Sequence, residues 1–224
     1  MNTKTIIEKP IIFSAASIMA ILAGKKRQTR RIVQPDRSWV RYYDGDRKEA
    51  FKAFHSDSSR PWNPWRGGNG PIPDGEPTHQ WQSGDERLPQ NYQKGMHLWV
   101  RETWREIVDE DLGHLRAAYK ASPETLRYYS EKHSDKTWRS PIHMPRWASR
   151  ITLEITDVQA ERLHEISEKD CIAEGIESHF NGNPIGGLRH EYAALWDSIN
   201  GHRASWEMNP WVFAITFRKA VAHA

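Results

Sequence analysis

The segment "ILAGKKRQTRR", residues 21–31, runs an apolar helix end into five basic side chains and leaves Thr29 among them. Upstream, Pro10 precedes the β-favouring triplet Ile11-Ile12-Phe13, and Ser14 can cap a helix over Ala15 to Ala23 by accepting hydrogen bonds from its first free amides. Gly24 is the natural stop, because a left-handed residue commonly closes a helix. Downstream, Thr29 to Val33 reads as extended chain, in which alternate side chains share a face, so Thr29, Arg31 and Val33 point one way. The basic cluster therefore straddles a turn between a helix and a strand. The apolar run Ile11 to Gly24 also has the look of a secretory core, but Glu8 and Pro10 precede it, three cations follow it, and it is too short to span a bilayer. A buried strand and helix is the favoured reading, with a signal peptide as the alternative.

The whole chain has 224 residues, 38% hydrophobic and 27% charged, with 32 Lys+Arg against 29 Asp+Glu and a net charge of +3. Its mean hydropathy is −0.80 and its pI near 8.9. These values exclude a membrane protein and a general polycation; they permit a polyanionic partner only if cations cluster locally. The length favours one domain over residues 1–224, with insertions at about 34–93 and 105–149, rather than two domains. A single cysteine, Cys171, rules out an intramolecular disulfide and a thiolate zinc cage and points to a reducing compartment, with the cytoplasm as the default.

Beyond the basic turn, residues 34–93 shift toward Pro, Gly, Trp and Ser with no sustained period. Trp62, Trp65 and Trp81 are expected to pin this insertion to the body; a disordered linker is the alternative. "GMHLWVRETW", residues 95–104, alternates as a strand, with Leu98, Val100 and Trp104 on one side and His97, Trp99 and Arg101 on the other. Helices are expected over about 110–120 and 124–132, followed by a proline-broken loop, and Ile151 to Thr156 alternates strictly as a strand. Ser167 and Asp170 form a capping-box pair for a short helix that Gly175 ends. Tyr192, Leu195, Trp196 and Ile199 fall at helical spacing and should face the sheet, and "PWVFAITF", residues 210–217, reads as a last strand. Strands separated by irregular segments point to an α+β fold, a small mixed β-barrel with flanking helices.

Eleven histidines are scattered without ligand spacing, and there is no HExxH, phosphate-loop or GxSxG motif, so no metal or cofactor is expected. Lys25, Lys26, Arg27, Arg30 and Arg31 would hold phosphates, yet such a run is as often a solvated helix end. Trp99, Trp104, Trp138 and Trp147 lie in segments that also carry Arg101, Arg105, Arg139 and Arg146. Aromatic faces stack bases and guanidinium groups bind phosphate, although any single tryptophan is more often a core anchor.

Three segments in order, "ILAGKKRQTRR", "GMHLWVRET" and "ITDVQAERLHEISEKDCIAEGI", resemble the ASCH domain, a PUA-like barrel of nucleic-acid-associated proteins. With "SPIHMPRWASRI" and "LWDSINGHRASWEMNPWVFAITF", the fuller chain is similar to a larger ASCH-containing protein of bacteriophages and prophages. The resemblance implies a PUA-like β-barrel with a cleft facing RNA or a nucleoside. Some small members remove an acetyl group from N4-acetylcytidine with a Lys, a Thr and a Glu, and these fall here on Lys26, Thr29 and Glu174. Arg31 matches the family's arginine after the threonine, whereas Gln28 and Arg30 depart from the small enzymes. From the cation cluster and the interleaved aromatics the candidate binding residues are Lys25, Arg27, Arg30, Arg31, Trp99 and Arg101; the implied partner is a nucleic acid, RNA before DNA, or a modified nucleoside, with no membrane and no cofactor. Amidohydrolysis, a non-catalytic RNA or DNA reader, and a phage assembly factor are the three functional readings.

Overall fold

A computed structural model describes residues 6–33, 92–108, 115–122, 137–177 and 187–220. In chain order they form β1 (Glu8–Ile12), α1 (Ala15–Leu22), β2 (Gln28–Ile32), β3 (His97–Arg101), β4 (Trp104–Val108), β5 (Leu115–Tyr119), β6 (Thr152–Arg162), α2 (Glu168–Ala173), α3 (Gly187–Asn200) and β7 (Trp211–Lys219). Five strands make one sheet in the order β1-β3-β6-β7-β2, while β4 and β5 pair separately as an antiparallel ribbon. Among the described residues only the β1–β3 pair is parallel. The architecture is thus mixed α+β, as expected.

The polarity of the sheet follows from its sequence period. On the inner face Leu98, Val100, Leu153, Ile155, Phe213, Ile215 and Phe217 pack with Ile18 and Ile21 of α1. On the outer face Val212 joins Leu163, Ile166 and Cys171 beneath Tyr192 and Trp196 of α3. A bulge in β6 between Ile155 and Asp157 inverts the alternation, since an extra residue moves every later side chain to the opposite face. Leu153 and Ile155 point inward before it, and Val158 and Ala160 after it, which turns Glu161 to the outer face. The strict alternation read over Ile151 to Thr156 did not disclose that inversion.

The barrel implied by the resemblance does not close. Strands β1 and β2 are the two edges, and Pro10, which lacks an amide hydrogen, lies in β1, where an edge position tolerates it. The sheet nevertheless curls. Four strand spacings of about 4.8 Å would hold the edges of a flat sheet roughly 19 Å apart, yet Arg31 Nη2 of β2 donates to the Ile12 carbonyl of β1 at 2.7 Å.

Three local expectations are corrected. Leu115 to Tyr119, expected within a helix over 110–120, is β5; its ladder to β4 and the bond from the Tyr119 hydroxyl to the Ala148 carbonyl (2.9 Å) override the helical preference of Leu-Arg-Ala-Ala. The strand expected over 95–104 is two strands broken at Glu102, whose buried carboxylate takes a fork from Arg150 with both contacts at 2.9 Å. On α3, Tyr192 and Trp196 are buried, but Leu195 and Ile199 are 42% and 53% exposed, because the helix covers α2 and the outer face with a narrow stripe. The expected helix over 124–132 and the tryptophans of the 34–93 insertion fall outside the described residues; within the 105–149 insertion the described parts are β4, β5 and two single-turn 3-10 helices. Among the described residues no helix is long and apolar enough to cross a membrane.

Candidate active site

Lys26 reaches the site because two helices end beside it. Ser14 caps α1 by accepting from the Ser17 amide (3.3 Å), and Gly24, at φ +73°, lets the chain reverse so that the Lys25 and Lys26 amides both donate to the Ala20 carbonyl. The capping box of Ser167 and Asp170 starts α2, and Glu174 is its C-terminal cap residue. The Arg27 amide donates to the Ala173 carbonyl at 2.7 Å and the Phe217 amide to the Arg27 carbonyl at 2.9 Å, locking the basic turn between α2 and β7. Gly175, at φ +89°, completes the junction: a β-carbon there would stand 3.2 Å from Lys26 Cβ and 3.3 Å from Ala20 Cβ.

The result is a buried ion pair. Lys26 Nζ donates to Glu174 Oε2 at 2.5 Å and to the Glu174 carbonyl at 2.7 Å, and both residues are only 6% exposed. Burial lowers the pKa of Lys26; Glu174 opposes that shift, and Arg31 and Arg30 reinforce it. Glu174 Oε1 faces other donors, Arg30 Nη1 and the Tyr192 hydroxyl, each at 3.4 Å. Burial first, and Glu174 second, pushes the Tyr192 phenol well above its usual range.

Thr29 is buried on the inner face of β2, paired with Ile215, and Arg31 lies on the same face two residues on. The Arg31 guanidinium sits 5.1 Å from the centre of the Phe13 ring, and Lys26 Nζ sits 5.9 Å from that same centre. Among the described residues Arg31 has no carboxylate partner. Phe13 thus marks where the Lys26 ammonium and the Arg31 guanidinium converge. The chemistry available there is an amine whose proton affinity is reduced, a carboxylate and a cation suited to developing negative charge, with Thr29 on the same strand face as that cation.

The remaining sequence-derived residues are placed as follows. Lys25 is exposed and paired with Glu177 at 2.8 Å, and the Arg27 side chain is exposed with no ion pair to a described residue. Arg30 is enclosed among carboxylates, so its guanidinium is matched internally. Trp99 is 9% exposed beneath Arg101 and Arg146, whose guanidinium carbons lie 4.6 Å and 6.0 Å from its ring centre, and Arg101 also donates to the Ile142 carbonyl. The more available ring in that region is Trp147, 52% exposed and set edge-on against buried Trp104. Sequence reasoning missed Glu161 and Tyr192 as neighbours of the site. Tyr192 carried a signal as part of an apolar helical stripe, while Glu161 carried none, because its face is decided by the bulge.

No family model and no curated protein matched the chain. Among solved structures, it is similar to an ASCH domain from Lactobacillus crispatus JV V101, at 10% sequence identity and a TM-score of 0.36, over 95% of this chain and 79% of the other.

Proposed function

We propose that this chain is an ASCH-type protein that recognises a nucleic acid, RNA before DNA, or a modified nucleoside, and that it hydrolyses an N4-acyl amide on cytosine or cytidine. The observation that carries this reading is the contact of Lys26 with Glu174 at 2.5 Å, beside a strand that offers Thr29 and Arg31 on one face. Once substrate loosens the ion pair, the neutral Lys26 amine takes the Thr29 hydroxyl proton as Oγ attacks the acyl carbon. Arg31 stabilises the resulting oxyanion. The C–N4 bond then breaks as Glu174 relays the proton taken up by Lys26 to the departing exocyclic nitrogen, which leaves the Lys26 amine neutral again. Water, deprotonated by Lys26, attacks the acyl carbon, and the acyl–Oγ bond breaks as Lys26 returns that proton to Thr29, releasing the acid. The setting this reading implies is the cytoplasm of a bacterial host, with the chain phage- or prophage-encoded.

A binding-only reading is favoured by one feature: Lys26 is engaged twice by Glu174, and the Thr29 hydroxyl has no hydrogen bond to it. Incubation with N4-acetylcytidine at high protein concentration separates the two. Release of cytidine and acetate supports hydrolysis. A folded protein that releases neither, yet retains RNA or a modified nucleoside on a filter, is a reader instead.

A further inference from the structure

Arg30 takes no part in the chemistry proposed above, yet its side chain is 0% exposed and lies within reach of three carboxylates. It leaves the outer face of β2 at a position paired with Ala214, whose methyl group leaves room for the guanidinium to cross β7. On the far side, Nε donates to Glu161 Oε1 at 2.8 Å; Nη2 lies 2.7 Å from the same oxygen, outside hydrogen-bond alignment, and 3.7 Å from Asp170 Oδ2. Nη1 donates to Gln28 Oε1 at 2.8 Å and, more weakly, to Glu174 Oε1 at 3.4 Å. The two oxygens of Glu174 therefore serve different donors, Oε2 the Lys26 ammonium and Oε1 Arg30 with Tyr192.

We infer that Arg30 is a positioning residue: anchored by Glu161 and Gln28, it holds the Oε1 side of Glu174 and sets a fixed charge near Lys26, so that Lys26 gives up its proton more readily than an isolated Lys26–Glu174 pair would. This rests on the reading of Lys26 as the proton acceptor. An arginine cannot be neutralised in a protein, so its charge stays constant across the pH range in which an amine must lose one. The charged and titratable groups around Lys26, Glu174 and Arg30 are Arg31 on β2, Glu161 on β6, Asp170 and Cys171 on α2, and Tyr192 on α3. Of all these groups, Arg30 alone both bonds to Glu174 and repels Lys26.

The test follows the Lys26 side-chain resonance through pH in lysine-labelled protein, assigned by its absence in Lys26→Arg. Arg30→Gln is expected to raise the Lys26 midpoint by about one pH unit or more, and Arg30→Lys to return most of that shift. Glu161→Gln should lower the midpoint, because Gln28 still holds Arg30 in place while the carboxylate that offsets its charge is gone. Unmoved midpoints in folded Arg30→Gln and Glu161→Gln would reduce Arg30 to a cation that merely fills the fold and would overturn the inference. If Arg30→Gln does not fold, Glu161→Gln decides alone: a fall supports the inference and no change or a rise overturns it. The titration needs no substrate, so an absence of amide hydrolysis leaves its result intact. In an active enzyme, the acid limb of the kcat/KM profile moves in the same direction as the Lys26 midpoint.

Discussion

Lys26 and Glu174, 148 positions apart, meet twice, through a carboxylate contact of 2.5 Å and a carbonyl contact of 2.7 Å. The double contact requires both the cap of α2 and the reversal after α1, so the pair reports on the junction of two helices with the sheet. Breaking one partner leaves the other charge buried. Lys26→Met or Glu174→Gln alone should each cost about 3–5 kcal/mol of stability, and the double variant should recover a large part of that cost. Denaturant unfolding of the three variants measures the coupling; additive losses would show that the contact is not made in solution.

If the proposed hydrolysis takes place, Thr29 separates it from binding. Thr29→Val keeps shape and strand preference while removing the hydroxyl, so the fold should melt normally while N4-acetylcytidine hydrolysis falls by several orders of magnitude. Cytidine release at the wild-type rate from that variant removes Thr29 as the nucleophile.

Gly175 and Gly24 form an internal control. Both have positive φ, but only at Gly175 would a β-carbon press on Lys26, whereas nothing lies within 4 Å at Gly24. Alanine at Gly24 should cost about 1–2 kcal/mol for the left-handed backbone. At Gly175 the loss should be larger and the Lys26 resonance should move. Equal losses with no change at Lys26 would mean that the turn relaxes around the methyl group.

Acid stability should report on Asp170. Burial raises its pKa, but the hydroxyl and amide of Ser167 and the charge of Arg30 outweigh burial and hold the carboxyl below its ordinary 3.8. A depressed carboxyl contributes stability that is full above the unfolded value and is lost as pH falls through the folded one. The melting-temperature gap between wild type and Asp170→Asn should therefore be constant near neutrality and shrink below about pH 3.8. A gap that widens in acid would contradict the assignment.

Nucleic-acid contact, if made through the basic turn, should depend on Arg27 and Arg31 more than on Lys25, which is already paired with Glu177. Filter retention of RNA should weaken with salt, and Arg27→Ala and Arg31→Ala should each lower the slope by about one. Retention independent of salt would exclude a phosphate-binding role for the turn.

Local chemistry made much of this molecule readable in advance. The Ser14 cap, the Gly24 stop, the capping box of α2 and the final strand depend on neighbours within a few residues, so composition and spacing disclose them. The meeting of Lys26 with Glu174 was legible only through motif resemblance, because nothing local joins positions 148 apart. The β5 strand, the outward turn of Glu161 and the enclosure of Arg30 were not legible. A ladder partner, a single extra residue in β6 and the small Ala214 between two strands decided them. Sequence by itself determined which segments are helix or strand wherever capping and period agree. Tertiary structure alone decided which cations face solvent and which face carboxylates, since burial, not residue type, sets the cost of leaving a charge unpaired.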